Sequence, residues 1–252
     1  MSICISRTAW HPSAIVVSDP KPGAEIQELL GTHGIRHVTE VPADLAPSLV
    51  LIAVKPQMMD MVLPGVAPAV RPDTLILSVA AGTPIARFQA AFGPVPVARA
   101  MPNTPAMVAR GITAVFPNDG VTEAQKETVG MLLSAVGKVV WLESEDQIDM
   151  VTGVSGSGPA YVFWLAECLA EAGKAAGLPE ALARELAEAT VSGAGELMHQ
   201  STETPTVLRQ NVTSPNGTTA AALEVLMAED GLKPLMTKAV AAAVKRAREL
   251  AG

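Results

Sequence analysis

The stretch "LVLIAVKPQ", residues 49–57, decides the fold of the first half of the chain. Its apolar run ends abruptly at a lysine and a proline, which is typical of a buried strand that reaches the edge of a sheet. The run has no polar face, so other elements must cover both faces of that sheet. We therefore predict a buried strand from Leu49 to Val54 inside a layered α/β domain.

Similar short apolar runs recur along the first half of the sequence. They are Ala14–Val17, Thr74–Val79, Val95–Ala98, Thr113–Phe116 and Lys138–Leu142. The intervening stretches "KPGAEIQELLGTHGI" and "TEAQKETVGMLLSAVG" have the apolar spacing of amphipathic helices that end at glycine. Alternating strands and helices predict a parallel sheet domain over residues 1–146.

The second half follows a different pattern, since the strand signals stop after about residue 147. Its long segments "PAYVFWLAECLAEAGKAAGL" and "PEALARELAEATVSGAGELMHQ", and the run from Thr219 to Leu250, all read as helices. Many small residues predict close helix packing. So much apolar helix surface over residues 147–252 predicts an all-helical domain that associates with a second copy.

Composition excludes several classes of protein. The net charge of −7 argues against a nucleic-acid partner held by phosphate neutralisation. The sequence contains no apolar run long enough to span a bilayer and no secretory leader, so we expect a cytoplasmic protein without a membrane partner. Four isolated histidines and two distant cysteines, Cys4 and Cys168, lack ligand spacing. We expect no metal site, and we expect both cysteines to be buried as small residues.

Three loops follow predicted strands where ligands bind in α/β domains, at the carboxyl edge of the sheet. Residues 53–56 end the first strand, residues 78–82 end the second, and Met101 to Pro105 form a rigid polar loop after the third. Each loop alone could be an ordinary turn, but together they favour a dinucleotide site. Asp19, at the end of the run that begins at Ala14, could hold a ribose hydroxyl, and nearby Ser18 and Lys21 could meet a 2′-phosphate.

The usual glycine-rich turn of such a site is missing. Only 13 residues precede Ala14, and "MSICISRTAWHPS" contains no glycine. Strand, turn and helix cannot fit into that length, so we expect the chain to begin inside the first crossover helix. It would then lack a central strand and the cradle for the pyrophosphate, either because the true start lies upstream or because the chain is truncated. A truncated chain is expected to bind its cofactor weakly or not at all.

The stretch "NVTSPNGTTAAALEVL", residues 211–226, combines clustered hydroxyls with a break at Pro215 and Gly217 and a helix start. Free N–H groups at a helix start favour an anion, and Gly217 allows close approach. The alternative is ordinary N-capping by Ser214 or Thr218.

A second loop, "GVSGSGPAY", residues 153–161, also admits two explanations. Its small residues leave room beside the nicotinamide end of a site, or Gly156 and Gly158 serve close helix packing.

These motifs resemble the pyrroline-5-carboxylate reductase family. The resemblance covers the chain from about residue 14 onward and rests on "AVKPQ", "SVAAGT", "RAMPNTPAMV", "VTGVSGSGPAYVF" and "NVTSPNGTTAAAL". It implies a Rossmann-like domain, here N-terminally incomplete, followed by a helical dimerisation and substrate domain. It also implies homodimers that can assemble into decamers. The implied reaction is the reduction of 1-pyrroline-5-carboxylate to L-proline by NADPH, or by NADH, in the last step of proline biosynthesis.

The resemblance also implies roles for individual residues. Thr219 matches the threonine that lies close to the ring nitrogen of the substrate and is the predicted catalytic residue. The predicted substrate-binding residues are Val212, Ser214, Gly217, Thr218 and Thr219. The predicted cofactor-binding residues are Ser18, Asp19, Lys21, Ala53, Val54, Lys55, Pro56, Ala80, Ala81, Gly82, Met101, Pro102, Asn103 and Thr104.

Two alternatives have features that distinguish them. A hydroxyacid dehydrogenase of similar layout would need a lysine on the interdomain helix with an asparagine one turn later. Here the helix from Pro159 has only Lys174, near its end, and position 178 is Leu. A non-catalytic oligomerising subunit is consistent with the missing glycine-rich turn.

Overall fold

The computed structural model describes residues 2–5 and 11–251. Within these residues, eight strands form one sheet in the order β3-β2-β1-β4-β5-β6-β7-β8. The strands are β1 (Ser2–Ile5), β2 (Ile15–Ser18), β3 (Arg36–Val38), β4 (Leu49–Ile52), β5 (Leu75–Ser78), β6 (Val97–Met101), β7 (Gly111–Pro117) and β8 (Gly137–Trp141).

The sheet is buried on both faces, as the sequence predicts. Along β4, Val50 and Ile52 belong to one apolar cluster with Phe88, while Leu49 belongs to a second cluster with Val129. This alternation follows from the period of two in a strand, which sends successive side chains to opposite faces. Helices cover these faces: α1 (Ala24–His33), α2 (Met59–Val66), α3 (Ile85–Phe92), α4 (Glu123–Ser134) and the short α5 (Gln147–Val151).

The predicted parallel sheet of a Rossmann-like domain is present, with parallel pairing of β2 to β3, of β4 to β5 and of β5 to β6, but it also contains antiparallel pairs and is therefore mixed. Strand β7 runs antiparallel to β6, and β8 runs parallel to β7. Only residues 102–110 connect β6 to β7, with a short 3-10 turn at Thr104–Val108. A parallel return would need a crossover of a dozen or more residues, so the short connection requires the reversed direction.

The prediction that the chain begins inside a crossover helix is wrong. Residues 2–5 form β1, which occupies the central position between β2 and β4. Both pairings are antiparallel, and Ser2 lies opposite Ser18 on one side and Ile52 on the other. The central strand is therefore present with reversed direction. Residues 6–10, which the same prediction covered, lie outside the described residues.

The second half is helical, as predicted. Its helices are α6 (Gly158–Ala175), α7 (Glu180–Gln200), α8 (Pro205–Asn211), α9 (Thr218–Leu226) and α10 (Leu232–Ala251). Helices α6 and α7 pack closely around small residues, since a Cβ added at Gly173 would lie 3.3 Å from the Cβ of Ala183. The single helical run expected from Thr219 to Leu250 is instead divided. A Cβ at Gly231 would lie 2.5 Å from the carbonyl oxygen of Leu226, so a tight turn separates α9 from α10.

Contacts between residues divide the chain into two compact units. The first comprises Met1–Gly156 with Val244–Gly252, and the second comprises Ser157–Ala243. The domain boundary between residues 146 and 147 stays a prediction. No helix in the described ranges is long and apolar enough to cross a membrane.

Candidate active site

Four strands of the first unit end at the same edge of the sheet. Strands β2 and β4 both run antiparallel to β1 and are therefore parallel to each other, while β5 and β6 continue in the direction of β4. The residues that follow these strands come from four different parts of the sequence. The topology thus brings Asp19, Ala53, Val79 and Pro102 to one carboxyl edge, as ligand sites of α/β sheets require.

A cavity of about 560 Å³ opens at this edge. Five predicted cofactor residues line it together, namely Ser18, Asp19, Ala53, Val54 and Lys55. Its volume lies in the range of small-molecule sites. Lys21 and Pro56 neighbour these residues in sequence but do not line the cavity.

The sequence did not reveal the other walls of this cavity. They are formed by Pro20, Thr39, Glu40, Val41, Met58, Met61, Val62, Gly65 and Val66. Residues 39–41 follow β3, whose three residues are too few to give a periodic signal. The α2 residues could have been found from the proline-led turn Pro56–Met58, because that turn starts a helix directly after β4.

A turn after β2 fixes the backbone around Asp19. Its Oδ1 accepts a hydrogen bond from the backbone N–H of Lys21 at 2.9 Å, and its carbonyl oxygen accepts one from Nε2 of His37 at 2.8 Å. Asp19 is half-buried, so part of its carboxylate faces the cavity while part holds the turn. A carboxylate in this position suits a ribose hydroxyl.

The remaining predicted cofactor residues follow β5 and β6 and do not line this cavity. The backbone N–H of Ala80 donates to Oγ of Ser78 at 3.2 Å, and Gly82 has a φ of 66°, which favours glycine. Next along the edge, Oδ1 of Asn103 accepts the backbone N–H of Ile112 at 2.9 Å and ties its loop to β7. Ala81, Pro102 and Thr104 belong to these same two loops, and Met101 is the last residue of β6.

Of the two explanations for "GVSGSGPAY", close packing gains support at Gly156 but not at Gly158. Residues Thr152–Gly156 form a π-helical turn, a feature that often occurs at functional sites. A Cβ at Gly156 would lie 2.8 Å from the Cε of Met101, whereas nothing lies within 4 Å of one at Gly158. Gly156 therefore gives Met101 its space at the end of β6.

In the second unit, the predicted substrate loop forms a turn before α9. The backbone N–H of Gly217 donates to the carbonyl oxygen of Ser214 at 3.1 Å, and Asn216 has a φ of 57°. Thr213 turns its hydroxyl back to the carbonyl oxygen of Arg209 at 2.6 Å, so it belongs to the end of α8. Val212 is exposed.

The alternative of N-capping by Ser214 or Thr218 is wrong. Gly217 is the N-cap of α9, and no side chain bonds to the start of the helix. The first helical bond runs from the N–H of Ala221 to the carbonyl oxygen of Gly217, so three N–H groups precede it. These belong to Thr218, Thr219 and Ala220. The start of α9 thus keeps the donors that an anion needs.

The carboxyl edge that holds the predicted cofactor residues lacks one part of the expected site. Because β1 is reversed, its carboxyl end lies at the opposite edge of the sheet. Among the described residues, no glycine-rich turn therefore lies between β2 and β4 to cradle a pyrophosphate. The cavity beside Asp19 and Lys55 fits the ribose end of a dinucleotide, and the phosphate cradle is the part that does not fit.

Some residues noted in the sequence, namely the two cysteines and Lys174, lie outside the predicted site. Cys168 is exposed on α6 instead of buried, where it lines an open cavity between α6 and α7, and the side chain of Cys4 lies outside the described residues. Lys174 lies in the last turn of α6 and pairs with Glu180 at 3.3 Å. No group of three or more metal-ligating side chains occurs in the described part of the chain.

Comparison with known proteins connects these features to one family. A family model described as "Pyrroline-5-carboxylate reductase dimerisation" matches residues 145–250. The pyrroline-5-carboxylate reductase of Pseudomonas aeruginosa is 44% identical over 233 residues, which cover 91% of this chain and 85% of the relative. The match thus extends well beyond the helical half.

Solved structures agree with the sequence comparison. A pyrroline-5-carboxylate reductase from Coxiella burnetii superposes with a TM-score of 0.88 at 35% identity, covering 97% of this chain and 91% of the other. The pyrroline carboxylate reductase of Plasmodium falciparum, solved with NADP bound, gives a TM-score of 0.76 at 26% identity, covering 96% and 88%. The chain belongs to the pyrroline-5-carboxylate reductase family, whose members are NAD(P)H-dependent oxidoreductases that act on a C=N bond.

Proposed function

We propose that this chain reduces 1-pyrroline-5-carboxylate to L-proline with NADPH, and with NADH as a second donor, in the last step of proline biosynthesis. The observation that carries the proposal is the uncapped start of α9, where three N–H groups and neighbouring hydroxyls can donate hydrogen bonds to an anion. The substrate is small and carries one carboxylate beside its ring nitrogen. A helix start binds such a group without a large pocket.

The proposal assigns the carboxylate to Ser214, Gly217 and Thr218. Within the described residues, the hydroxyls of Ser214 and Thr218 have no protein partner and can donate to it. The dipole of α9 adds about 0.3–1 kcal/mol when exposed and up to about 2 kcal/mol when partly buried. Exposed Val212 offers an apolar contact for the ring.

The proposal assigns the ring nitrogen to Thr219, which is half-buried at the second position of α9. Hydride adds to the carbon of the protonated C=N bond, the π electron pair moves onto nitrogen, and nitrogen keeps the proton it already has. The Thr219 hydroxyl can hydrogen-bond that nitrogen and hold it in place. Threonine is a weak acid, so its contribution is orientation of the ring and a hydrogen bond to nitrogen. Most of the rate then comes from positioning.

The first unit would hold the cofactor, which supplies the hydride when bound. Asp19 would bind an unphosphorylated ribose, whereas Ser18 and the exposed Lys21 would meet a 2′-phosphate. Lys55 supplies positive charge to the same cavity. The loops at residues 80–82 and 101–104 are assigned to the nicotinamide end, where their small and polar residues permit close approach.

We further propose that the chain acts as a homodimer, with decamers as the larger assembly. The apolar helices of the second unit support this, as does the dimerisation model that matches residues 145–250. Because the substrate and the cofactor are dissolved metabolites, we place the enzyme in the cytoplasm.

The test compares Thr219→Ala with Thr219→Ser in an assay of NADPH oxidation dependent on 1-pyrroline-5-carboxylate. We expect Ala to lower kcat/KM about 10-fold to 100-fold, as loss of a hydrogen bond to a charged group does, and Ser to restore most of it. Thr237→Ala is the control, because its hydroxyl bonds only the carbonyl oxygen of Lys233 on α10. Full activity in Thr219→Ala would remove this residue from the mechanism.

A second candidate function rests on the reversed β1. Without a phosphate cradle at the end of that strand, the chain would serve as an oligomerising subunit without catalysis. Titration with NADPH, monitored through the quenching of protein fluorescence, distinguishes the reductase from the non-catalytic subunit. A stable oligomer that binds no NADPH supports the subunit, and assay of a version extended at its N-terminus then shows whether a cradle restores activity.

A further inference from the structure

Arg99 is a charged residue in the middle of an apolar strand. It lies on β6 with 5% of its surface exposed, opposite Ser78 of β5 and Phe116 of β7. Its Nη1 donates to Oε1 of Glu145 at 2.6 Å, and its Nη2 has no partner among the described residues. A buried guanidinium is costly unless it is paired, so this arrangement requires a compensating gain.

Glu145 uses the same oxygen for a second bond. Oε1 also accepts the backbone N–H of Ile85, the first residue of α3, at 2.8 Å. The N-cap of α3 is Pro84, whose side chain cannot accept a hydrogen bond, so Glu145 supplies the capping acceptor from 60 residues away in sequence. A single carboxylate oxygen therefore joins β6 to the start of α3.

Ile85 and Arg99, the two residues that Glu145 bonds, adjoin the two loops assigned to the nicotinamide end. The loop at residues 79–84 runs directly into Ile85, and the loop at residues 102–104 begins three residues after Arg99. Glu145 itself precedes α5 and the π-helical turn whose Gly156 approaches Met101. All of these residues belong to the first compact unit.

We infer that Glu145 and Arg99 are positioning residues for hydride transfer, because their shared hydrogen bonds hold the loops after β5 and β6 in a fixed relation. The inference rests on the proposed function for its kinetic consequence. Neither residue touches the substrate in this scheme. Both act through Met101 to Thr104 and Ala80 to Gly82.

Small displacements of such loops have large kinetic effects. A misplacement of about 1 Å, caused by a change away from the chemistry, can cost about 100-fold in rate. Loops that hold reactive groups need support from hydrogen-bonded neighbours on rigid elements. The pair supplies that support from β6, whose residues at positions 97–100 are all buried.

The test must separate positioning from simple stability. Glu145→Gln keeps an acceptor for Ile85 but leaves Arg99 charged without an anion. Arg99→Met combined with Glu145→Gln removes the buried guanidinium charge together with its partly exposed partner. Replacing a buried charge and its counter-ion by apolar or neutral groups is often close to neutral for stability. Glu123→Gln is the matched control, because it breaks an exposed pair with Lys126 on α4.

We expect the double variant to melt within about 4 °C of the parent chain, a shift corresponding to about 1 kcal/mol or less. Its kcat should fall about 10-fold while KM for 1-pyrroline-5-carboxylate changes by less than about 2-fold. The deuterium isotope effect on kcat, measured with NADPH deuterated at the transferred position, should rise because hydride transfer becomes slower. Unchanged kcat and isotope effect in a stable double variant would overturn the inference.

Hydrogen exchange of the cofactor-free protein gives a readout independent of activity. The double variant should exchange faster in peptides covering residues 79–88 and 99–108, and Glu123→Gln should not. Unchanged exchange in both peptides overturns the positioning role whatever the kinetics. If the double variant exchanges faster but the parent chain itself has no reductase activity, the positioning role for the loops is kept and the proposed function is refuted instead.

Discussion

The two compact units differ in how they bury apolar side chains. In the first unit, both faces of the sheet lie under helices, and side chains such as Phe88 and Ile76 are completely buried. In the second unit, Ala183 and Ala187 are the buried residues among those described, while Phe163 and Trp164 are 64% and 63% exposed. The first unit completes its own core, and the second does not.

This contrast shows that the same apolar content serves different purposes in the two units. Leucines and valines in the first unit stabilise the sheet whose carboxyl edge forms the candidate site. In the second unit, large apolar side chains are instead exposed on α6, α7, α9 and α10, as they are at surfaces that bind a partner. Self-association through the dimerisation domain follows from this uncovered surface.

The largest expected effect concerns the closed core. Phe88→Ala should lower the free energy of unfolding of the first unit by about 3–5 kcal/mol, because it leaves a cavity among Val50, Ile76 and Val97. Chemical denaturation followed by circular dichroism measures this loss. The loss should be the same at all protein concentrations. A concentration-dependent loss would place Phe88 in an interface and break the contrast between the units.

A smaller effect is expected at the open face of the second unit. Trp164→Glu should weaken self-association by about 2–4 kcal/mol, since an exposed aromatic residue of the apolar face of α6 would be replaced by a charge. This is a 30-fold to 1,000-fold rise in Kd, to order of magnitude. Light scattering during size-exclusion chromatography over a dilution series measures it.

Leu29→Glu on α1 is the control for that experiment, because Leu29 is also an exposed apolar residue but belongs to the first unit. We expect no change in association for this variant. Equal weakening by both substitutions would mean that exposure alone does not identify the interface.

The smallest change in stability is expected from substituting Gly156, with Gly158 as its comparison. Gly156→Ala would push against the mobile end of Met101, so we expect a stability loss of less than about 1 kcal/mol together with a raised KM for NADPH. Gly158→Ala meets open space at the start of α6 and should leave both quantities unchanged. Steady-state kinetics and thermal melting measure the pair. Identical KM values would show that Met101 does not influence the cofactor.

Sequence patterns predicted the elements whose signals are local. The run at Leu49–Val54 contains β4, and the last glycine of "KPGAEIQELLGTHG", Gly34, marks the end of α1 with a φ of 62°. Thr122 and Gln125 form a capping box at the start of α4. In each case, a few neighbouring residues determine the structure, so a short window suffices.

Features that depend on distant residues were not predictable in this way. The direction of β1 is set by pairing with both β2 and β4, and four residues of apolar sequence carry no directional signal. The charge of Arg99 inside an apolar strand was a visible anomaly, but its partner Glu145 lies 46 residues later. For the substrate loop, family motifs predicted the residues, whereas the absence of a side-chain cap required the structure.

The exposed aromatic face of α6 also makes the protein its own optical reporter. The chain has three tryptophans: Trp164 on that face, Trp141 on the edge strand β8, and Trp10 outside the described residues. An indole that passes from water into an apolar interface emits at shorter wavelength. Dilution of the unlabelled protein should therefore shift its emission to the red as subunits separate, and equilibrium between free and associated chains becomes measurable without any dye.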